Sequence, residues 1–239
     1  LSTVILCSNL LLELGDEEQK SSHLPGIAAG ETVWALAVTE PDGGWQAGDM
    51  QLRATREGDS WRLDGTKAYV IDGHVADHFL VVARTDEADD AVSVFIVDAG
   101  ATGVMATKVE SMDQTRSLAT VQFDGLQVPA GALVGEVSSA WEAVETVLDV
   151  AAVALAAEQV GGAQACLDMS VDYAKVRMQF GRPIGSFQAI KHKCADMLVQ
   201  VESAKSAAYY AGWATSERNE EFAVVAPLAK SYCSEAFFF

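Results

Sequence analysis

Side chains able to do chemistry are sparse in this sequence, and most familiar groupings fail on spacing. Cys7, Cys166, Cys194 and Cys233 lie far apart and form no C-x-x-C pair. They sit in apolar, helix-like surroundings, which reads as buried free thiols in a reducing cytosol. His23, His74, His78 and His192 include no H-E-x-x-H or comparable spacing, so no metal site is expected. Glu145, Asp149 and Glu158 share one long apolar-periodic stretch. A carboxylate there has the chemistry to take a proton, but Glu145 and Glu158 read more simply as structural or solvated. Thr39 ends an apolar strand pattern just before Glu40-Pro41. Asp42–Asp49 follows as a glycine-rich loop whose backbone can approach a ligand closely. Arg177 and Gln188 flank the break between two long helical patterns. At a helix end Arg177 suits carbonyl capping or solvent, and Gln188 suits a first turn. Phe180, between them, suits core packing.

The charge balance narrows the partners. Acidic residues outnumber basic ones 34 to 16, a net charge of −18. Such a surface repels a phosphate backbone, so nucleic acid and anionic lipid are not expected partners. A small anionic ligand is not excluded, because one arginine or a helix N-terminus can bind phosphate in an acidic protein. The most apolar run, Val147–Ala157, contains Asp149 and is followed by Glu158. It is too short and too interrupted to span a bilayer and reads as a buried helix. No signal peptide is visible. The expected location is cytoplasmic. The chain opens on Leu1 without a methionine and ends on Phe237-Phe238-Phe239, so it is expected to be part of a longer polypeptide.

Three regions must position these groups. In residues 1–30, Val4, Leu6, Leu10, Leu11 and Leu14 recur at helical spacing until Gly15, and a second short helix is expected around Glu17–Leu24, before Pro25. Residues 31–135 switch to period two and β-branched types. Strands are expected at Thr32–Thr39, Leu52–Arg56, Trp61–Ile71, His78–Arg84, Val92–Val97, Val104–Val109 and Ala119–Phe123. Asp64-Gly65 and Asp72-Gly73 are among the turn signals, and closely spaced short strands argue for an antiparallel β-barrel or sandwich. Residues 136–239 read as an incomplete helical bundle, with helices at Trp141–Met178, Phe187–Glu217 and Phe222–Glu235. The fold class is therefore α+β: the end of a helical domain, a β-domain, then a helical bundle.

One stretch resembles a known family. Arg177-Met178-Gln179-Phe180-Gly181-Arg182-Pro183-Ile184-Gly185-Ser186-Phe187-Gln188-Ala189-Ile190 is similar to the acyl-CoA dehydrogenase signature, in which R-x-x-F-G ends one bundle helix and F/H-Q-A-I opens the next. Val38-Thr39-Glu40-Pro41 resembles the family's T-E-P turn, and Leu63-Asp64-Gly65-Thr66-Lys67 its L-N-G-x-K hairpin. Tyr69-Val70-Ile71-Asp72-Gly73 stands where the family has W-I-T-N-G. Phe123–Pro129 resembles the F-x-x-V-x-V-P exit from the β-domain. The resemblance implies bound FAD, with Val38, Thr39, Tyr69 and Ile71 beside the isoalloxazine and the 31–135 region on the flavin side. It implies that Arg177 and Gln188 reach the FAD of a neighbouring subunit, the arginine meeting its pyrophosphate through a planar fork, with Phe180 on the flavin side. Asp149 matches a position near the pantetheine arm. The implied reaction is 2,3-dehydrogenation of an acyl-CoA thioester to the enoyl-CoA. Electrons pass to an electron-transfer flavoprotein, and the assembly is a homo- or hetero-tetramer.

Departures from the pattern sharpen the expectation. The serine-bearing G-A-G-S-D is replaced by Asp42-Gly43-Gly44-Trp45-Gln46-Ala47-Gly48-Asp49. Tyr69 can still cover a flavin face, but Ile71 lacks the threonine's hydroxyl donor. The family places its catalytic glutamate in one of two positions: on the first long helix, where this chain has Ala151 beside Ala152, or in a C-terminal loop expected beyond Phe239, so the catalytic residue is unknown. Ala151, Ala152, Ala154, Ala156 and Ala157 would make a substrate pocket roomy or let helices approach closely. These features are similar to actinobacterial members that act on steroid side-chain thioesters as heteromeric complexes. The alternative implied is a non-catalytic partner subunit that completes a neighbour's FAD site.

Overall fold

The computed structural model describes residues 1–88 and 90–239, in two compact units, Leu1–Val147 and Leu148–Phe239. The first unit opens with a π-helical turn, Ser2–Cys7, running into α1 (Ser8–Leu14), whose Leu10 and Leu11 are fully buried. Helix α2 (Glu17–Ala29) starts on a reciprocal cap. Asp16 accepts from the Gln19 amide at 2.8 Å, and the Gln19 side chain accepts from the Asp16 amide at 3.2 Å. The helix does not stop at Pro25, as the sequence suggests. It loses one donor there and continues to Gly30, whose φ of 70° ends it as a left-handed cap.

Among the described residues, eight strands form one sheet: β1 (Trp34–Ala37), β2 (Arg53–Glu57), β3 (Ser60–Ile71), β4 (His78–Arg84), β5 (Val92–Asp98), β6 (Val104–Val109), β7 (Leu118–Pro129) and β8 (Leu133–Val134). The pairing path is β6-β7-β3-β2-β4-β5-β8, with β1 beside β4. Two expectations are corrected. The sheet is not purely antiparallel, since β1 pairs parallel with β4, Trp34 opposite His78, and β2 touches β4 parallel at Arg53 and Arg84. Nor does it close as a barrel, because no pairing joins β6 to β8 among the described residues. The edges explain this. β8 is two residues long, and the middle four residues of β6 are exposed, so neither can cover the other. The buried face carries Leu63, Phe79, Phe95, Val121, Phe123 and Leu126.

Strand β7 runs six residues past its expected end at Phe123, while β3 keeps nearly its expected length and absorbs irregularities within it. Asp64-Gly65 is not a turn between strands but a bulge inside β3, where pairing with β7 shifts register. Gly65 has φ 144°, and a Cβ there would lie 2.9 Å from the Leu52 Cα. Gly65→Ala is therefore expected to lower the unfolding free energy by roughly 2–4 kcal/mol, read as a fall in the urea midpoint at unchanged slope.

Helix α3 (Trp141–Val176) carries the chain into the second unit, which continues through α4 (Gln188–Ser216) and α5 (Phe222–Phe238). These helices pack on small residues. Ala156 of α3, Ala204 and Ala208 of α4, and Cys233 and Ala236 of α5 form one buried cluster. The alanines thus serve close approach at Ala156, while Ala157 remains exposed. The cysteines divide: Cys7 and Cys233 are buried, Cys194 is half-buried and Cys166 is exposed, so burial of all four is corrected. Among the described residues no helix is long and apolar enough to cross a membrane.

Candidate functional site

The turn after β1 is held by a buried ion pair. Lys67 in β3 is 0% exposed and Glu40 is 3% exposed. The Lys67 ammonium donates to Glu40 Oε1 at 2.6 Å and to the Val38 carbonyl at 3.0 Å, and meets Met50 Sδ at 3.5 Å. Glu40 accepts further from the Gln51 amide at 2.7 Å and the Leu52 amide at 3.0 Å. The Ala68 amide donates to the Thr39 carbonyl at 2.8 Å. The carbonyls of Val38 and Thr39 are therefore committed inside the protein. Burial pulls the Lys67 ammonium down to about 8, against the upward pull of the Glu40 charge and hydrogen bond. A lysine whose folded value lies below its unfolded value disfavours the fold while protonated. That handicap is full below pH 8 and fades as pH rises toward 10.5, so this group's contribution to stability increases with pH across that window.

A second buried cation, Arg84, fixes the far end of the glycine-rich loop. Its guanidinium donates to the carbonyls of Met50 at 2.9 Å, Gly48 at 3.0 Å, Ala47 at 3.2 Å and Ala88 at 2.8 Å. The nearer part of the loop is open. Gly43 has φ 80° with nothing within 4 Å of a would-be Cβ, and Trp45 is exposed. Arg84→Met strands four carbonyls at once and is expected to cost about 2–4 kcal/mol in chemical denaturation, with Trp45 emission shifted as the loop loosens. The sequence shows no signal for this role, since a strand-end arginine ordinarily faces solvent.

The remaining predicted residues of the first unit lie on the same stretch of β3. Pairing with β7 shifts again between Lys67 and Val70, and Tyr69 there adopts φ 56° with its ring 55% exposed. A positive φ at an aromatic residue is strained and marks sites where the side chain must be re-aimed. Ile71 is half-buried, and its carbonyl accepts from Ser2 Oγ at 3.1 Å. Lys67 and Ala68 tie the Val38–Thr39 segment to the stretch of β3 that carries Tyr69 and Ile71.

The second unit gathers Arg177, Phe180 and Gln188. The expected helix to Met178 ends at Val176, and Met178-Gln179 then pair with Arg182-Pro183 as a tiny hairpin. Its two tip residues, Phe180 and Gly181, have φ 54° and 77°, both left-handed, as a two-residue hairpin turn demands. The Phe180 ring is 90% exposed, so it is not a core residue of this unit. It meets the Phe187 ring edge-on at 5.9 Å, and Arg182 lies over Phe187 at 4.2 Å. Arg177 is exposed, and its side chain has no hydrogen bond or ion pair among the described residues, while its carbonyl accepts from Ile184 at 2.8 Å. Gln188 opens α4, exposed, 3.4 Å from His192. The hairpin therefore presents an unneutralised guanidinium, an aromatic face and an amide, a donor set suited to an anionic, planar ligand.

The acidic residues of α3 differ in exposure around Ala151, the helix position where the resemblance expects a glutamate. Ala151 is buried, Asp149 is half-buried, and Glu145 and Glu158 are both exposed. Among the described residues no His/Cys/Asp/Glu group could hold a metal.

Two family descriptions match this chain: "Acyl-CoA dehydrogenase, middle domain" over residues 35–126 and "Acyl-CoA dehydrogenase, C-terminal domain" over residues 140–239. The chain belongs to the acyl-CoA dehydrogenase family. It is 33% identical over 239 residues to the short-chain specific acyl-CoA dehydrogenase of Megasphaera elsdenii, covering 98% of this chain and 62% of that one. It is 34% identical over 233 residues to an acyl-CoA dehydrogenase of Bacillus subtilis, covering 96% and 61%. The solved butyryl-CoA dehydrogenase of Megasphaera elsdenii superposes with a TM-score of 0.94 at 33% identity, over 98% of this chain and 62% of that one. A glutaryl-CoA dehydrogenase of Mycobacterium smegmatis in complex with FADH2 superposes at 0.90 and 26% identity, over 99% and 61%. A solved structure described as the electron transferring flavoprotein of Acidaminococcus fermentans superposes at 0.94 and 32%, over 98% and 63%. The chain spans about three-fifths of the length of these acyl-CoA dehydrogenase relatives. Within the family frame, β2 to β6 and most of β1 and β7 fall in the middle-domain match, and the Arg177–Gln188 stretch falls in the C-terminal match.

Proposed function

We propose that this chain is a subunit of an FAD-dependent acyl-CoA dehydrogenase that oxidises an acyl-CoA thioester to its 2,3-enoyl-CoA. The observation that carries the reading is the Phe180-Gly181 hairpin, which offers Arg177 and Gln188 outward inside a chain matched to the family over both regions. The residues present fit the cofactor in kind. Arg177 has no internal anion, Tyr69 and Phe180 expose rings at strained φ, and the loop at Gly43 is open. Arg177 and Gln188 hold a neighbouring subunit's FAD, and Val38, Thr39, Tyr69 and Ile71 line this chain's own flavin edge. Bound FAD would supply the hydride acceptor for the β-hydrogen, and the reaction would also need a carboxylate to take the α-proton. The chain's part is to bind, orient and exclude water, with Asp149 toward the pantetheine arm. The acyl group is a steroid side chain or another bulky acyl group, and electrons leave to an electron-transfer flavoprotein. The protein is a cytoplasmic tetramer in which residues 1–30 end a helical domain, 31–135 form the flavin-side β-domain and 136–239 form the helical bundle.

The test is the visible spectrum of the purified protein. A yellow protein bleached by an acyl-CoA supports the reading. A protein without flavin under any co-expression excludes it for this chain.

A second reading is favoured by Ala151, which is no base, and Ile71, which is no donor. In it the chain is a non-catalytic partner that completes the FAD site of a homologous subunit. Co-expression with such a subunit and mass measurement of the complex separates the two. A fully active homotetramer rules the second out.

A further inference from the structure

Two segments of the flavin edge, the turn after β1 and the bulge in β3, meet at one ion pair. Val38 and Thr39 precede Glu40 directly, and Ala68 and Tyr69 follow Lys67 directly. The pair is dry, at 3% and 0% exposure, and its hydrogen bonds tie these segments to each other or to Gln51 and Leu52 just before β2. Burying two charges is a poor way to gain stability, because desolvation offsets their attraction and apolar residues of like size do as well. Direction is what such a pair supplies: its hydrogen bonds allow one geometry where apolar packing tolerates several.

We propose that Glu40 and Lys67 are positioning residues for the flavin edge, holding the Val38–Thr39 backbone against the Tyr69 bulge. The inference rests on the FAD reading above. Lys67 donates to the Val38 carbonyl, so its ammonium sets where the peptide on the Thr39 side points. The Ala68 amide on the Thr39 carbonyl is the second tie, and together they restrain the orientation of both peptides. Glu40 is the charged group facing Lys67 among the described residues. The Met50 sulfur and the Val38 carbonyl complete its surroundings.

The experiment uses the protein in its native assembly, as wild type, Glu40→Gln, Lys67→Met and the double variant. Thermal unfolding is measured alongside FAD dissociation by flavin fluorescence and the absorption of the bound flavin. The double variant removes both charges, so it recovers the thermal midpoint lost in the singles. It does not recover FAD affinity, which stays about tenfold or more below wild type with a shifted flavin band. Wild-type affinity falls as pH rises between about 7 and 9 and Lys67 discharges, while the double variant is flat. A structural role alone predicts no such fall, since this lysine's discharge favours the fold. A double variant that binds FAD as tightly as wild type, or a wild type flat across that range, overturns the inference and leaves the FAD reading standing. A wild type that binds no FAD overturns both.

Discussion

Arg177→Ala is expected to weaken FAD binding about 10- to 100-fold, with the thermal midpoint almost unchanged. The two halves of this expectation come from one fact. The guanidinium is exposed and has no partner among the described residues, so its loss removes nothing the fold uses, and surface changes of that kind stay within about 0.5 kcal/mol. A bidentate, charge-assisted contact to phosphate is worth roughly 1.5–3 kcal/mol, which sets the range of affinity loss. Arg177→Lys keeps the charge but not the fork, and is expected to recover only part of it. Isothermal titration of flavin-free protein with FAD measures the effect. Equal affinity in wild type and Arg177→Ala would remove Arg177 from the site.

Lys67→Met is expected to cost about 3–5 kcal/mol, because it leaves the Glu40 carboxylate charged, buried and without its cation. That is a large share of a typical total of about 5–15 kcal/mol. Adding Glu40→Gln should return most of the loss, since a neutral amide still accepts from the Gln51 or Leu52 amide. The pH series checks the sign independently. Lys67 titrates near 8, below its unfolded value, so wild-type stability should gain from this group as pH rises past 8, and Lys67→Met should show no such gain. Urea unfolding at several pH values reads both effects at once.

These two residues were unequally legible. Arg177 stands in a run whose types and spacing are specific, so its place at a helix end was readable and only the hairpin beyond it was not. Phe180 carried no mark of exposure, because a phenylalanine beside a glycine suits a core as well as a hairpin tip; its left-handed φ decided the matter. Lys67 and Glu40 were both visible within motifs, but 27 positions separate them and nothing local says they meet. Arg84 was not legible at all. Gly65 was read as a turn, since a turn and a bulge use the same residue for the same reason, its freedom at positive φ.

By itself the sequence determined the order of elements, the family, and which residue type stands at each motif position, Ala151 among them. These are local properties: periodicity, residue type and spacing survive without a folded chain. Tertiary structure alone decided that the sheet stays open, that β1 runs parallel to β4, and that Lys67 lies under the Val38 carbonyl. It also decided that Phe180 faces outward. Each of those depends on which distant segments share a boundary, and pairing across tens of residues is set by burial and by the geometry of bulges, which leave no period in the sequence.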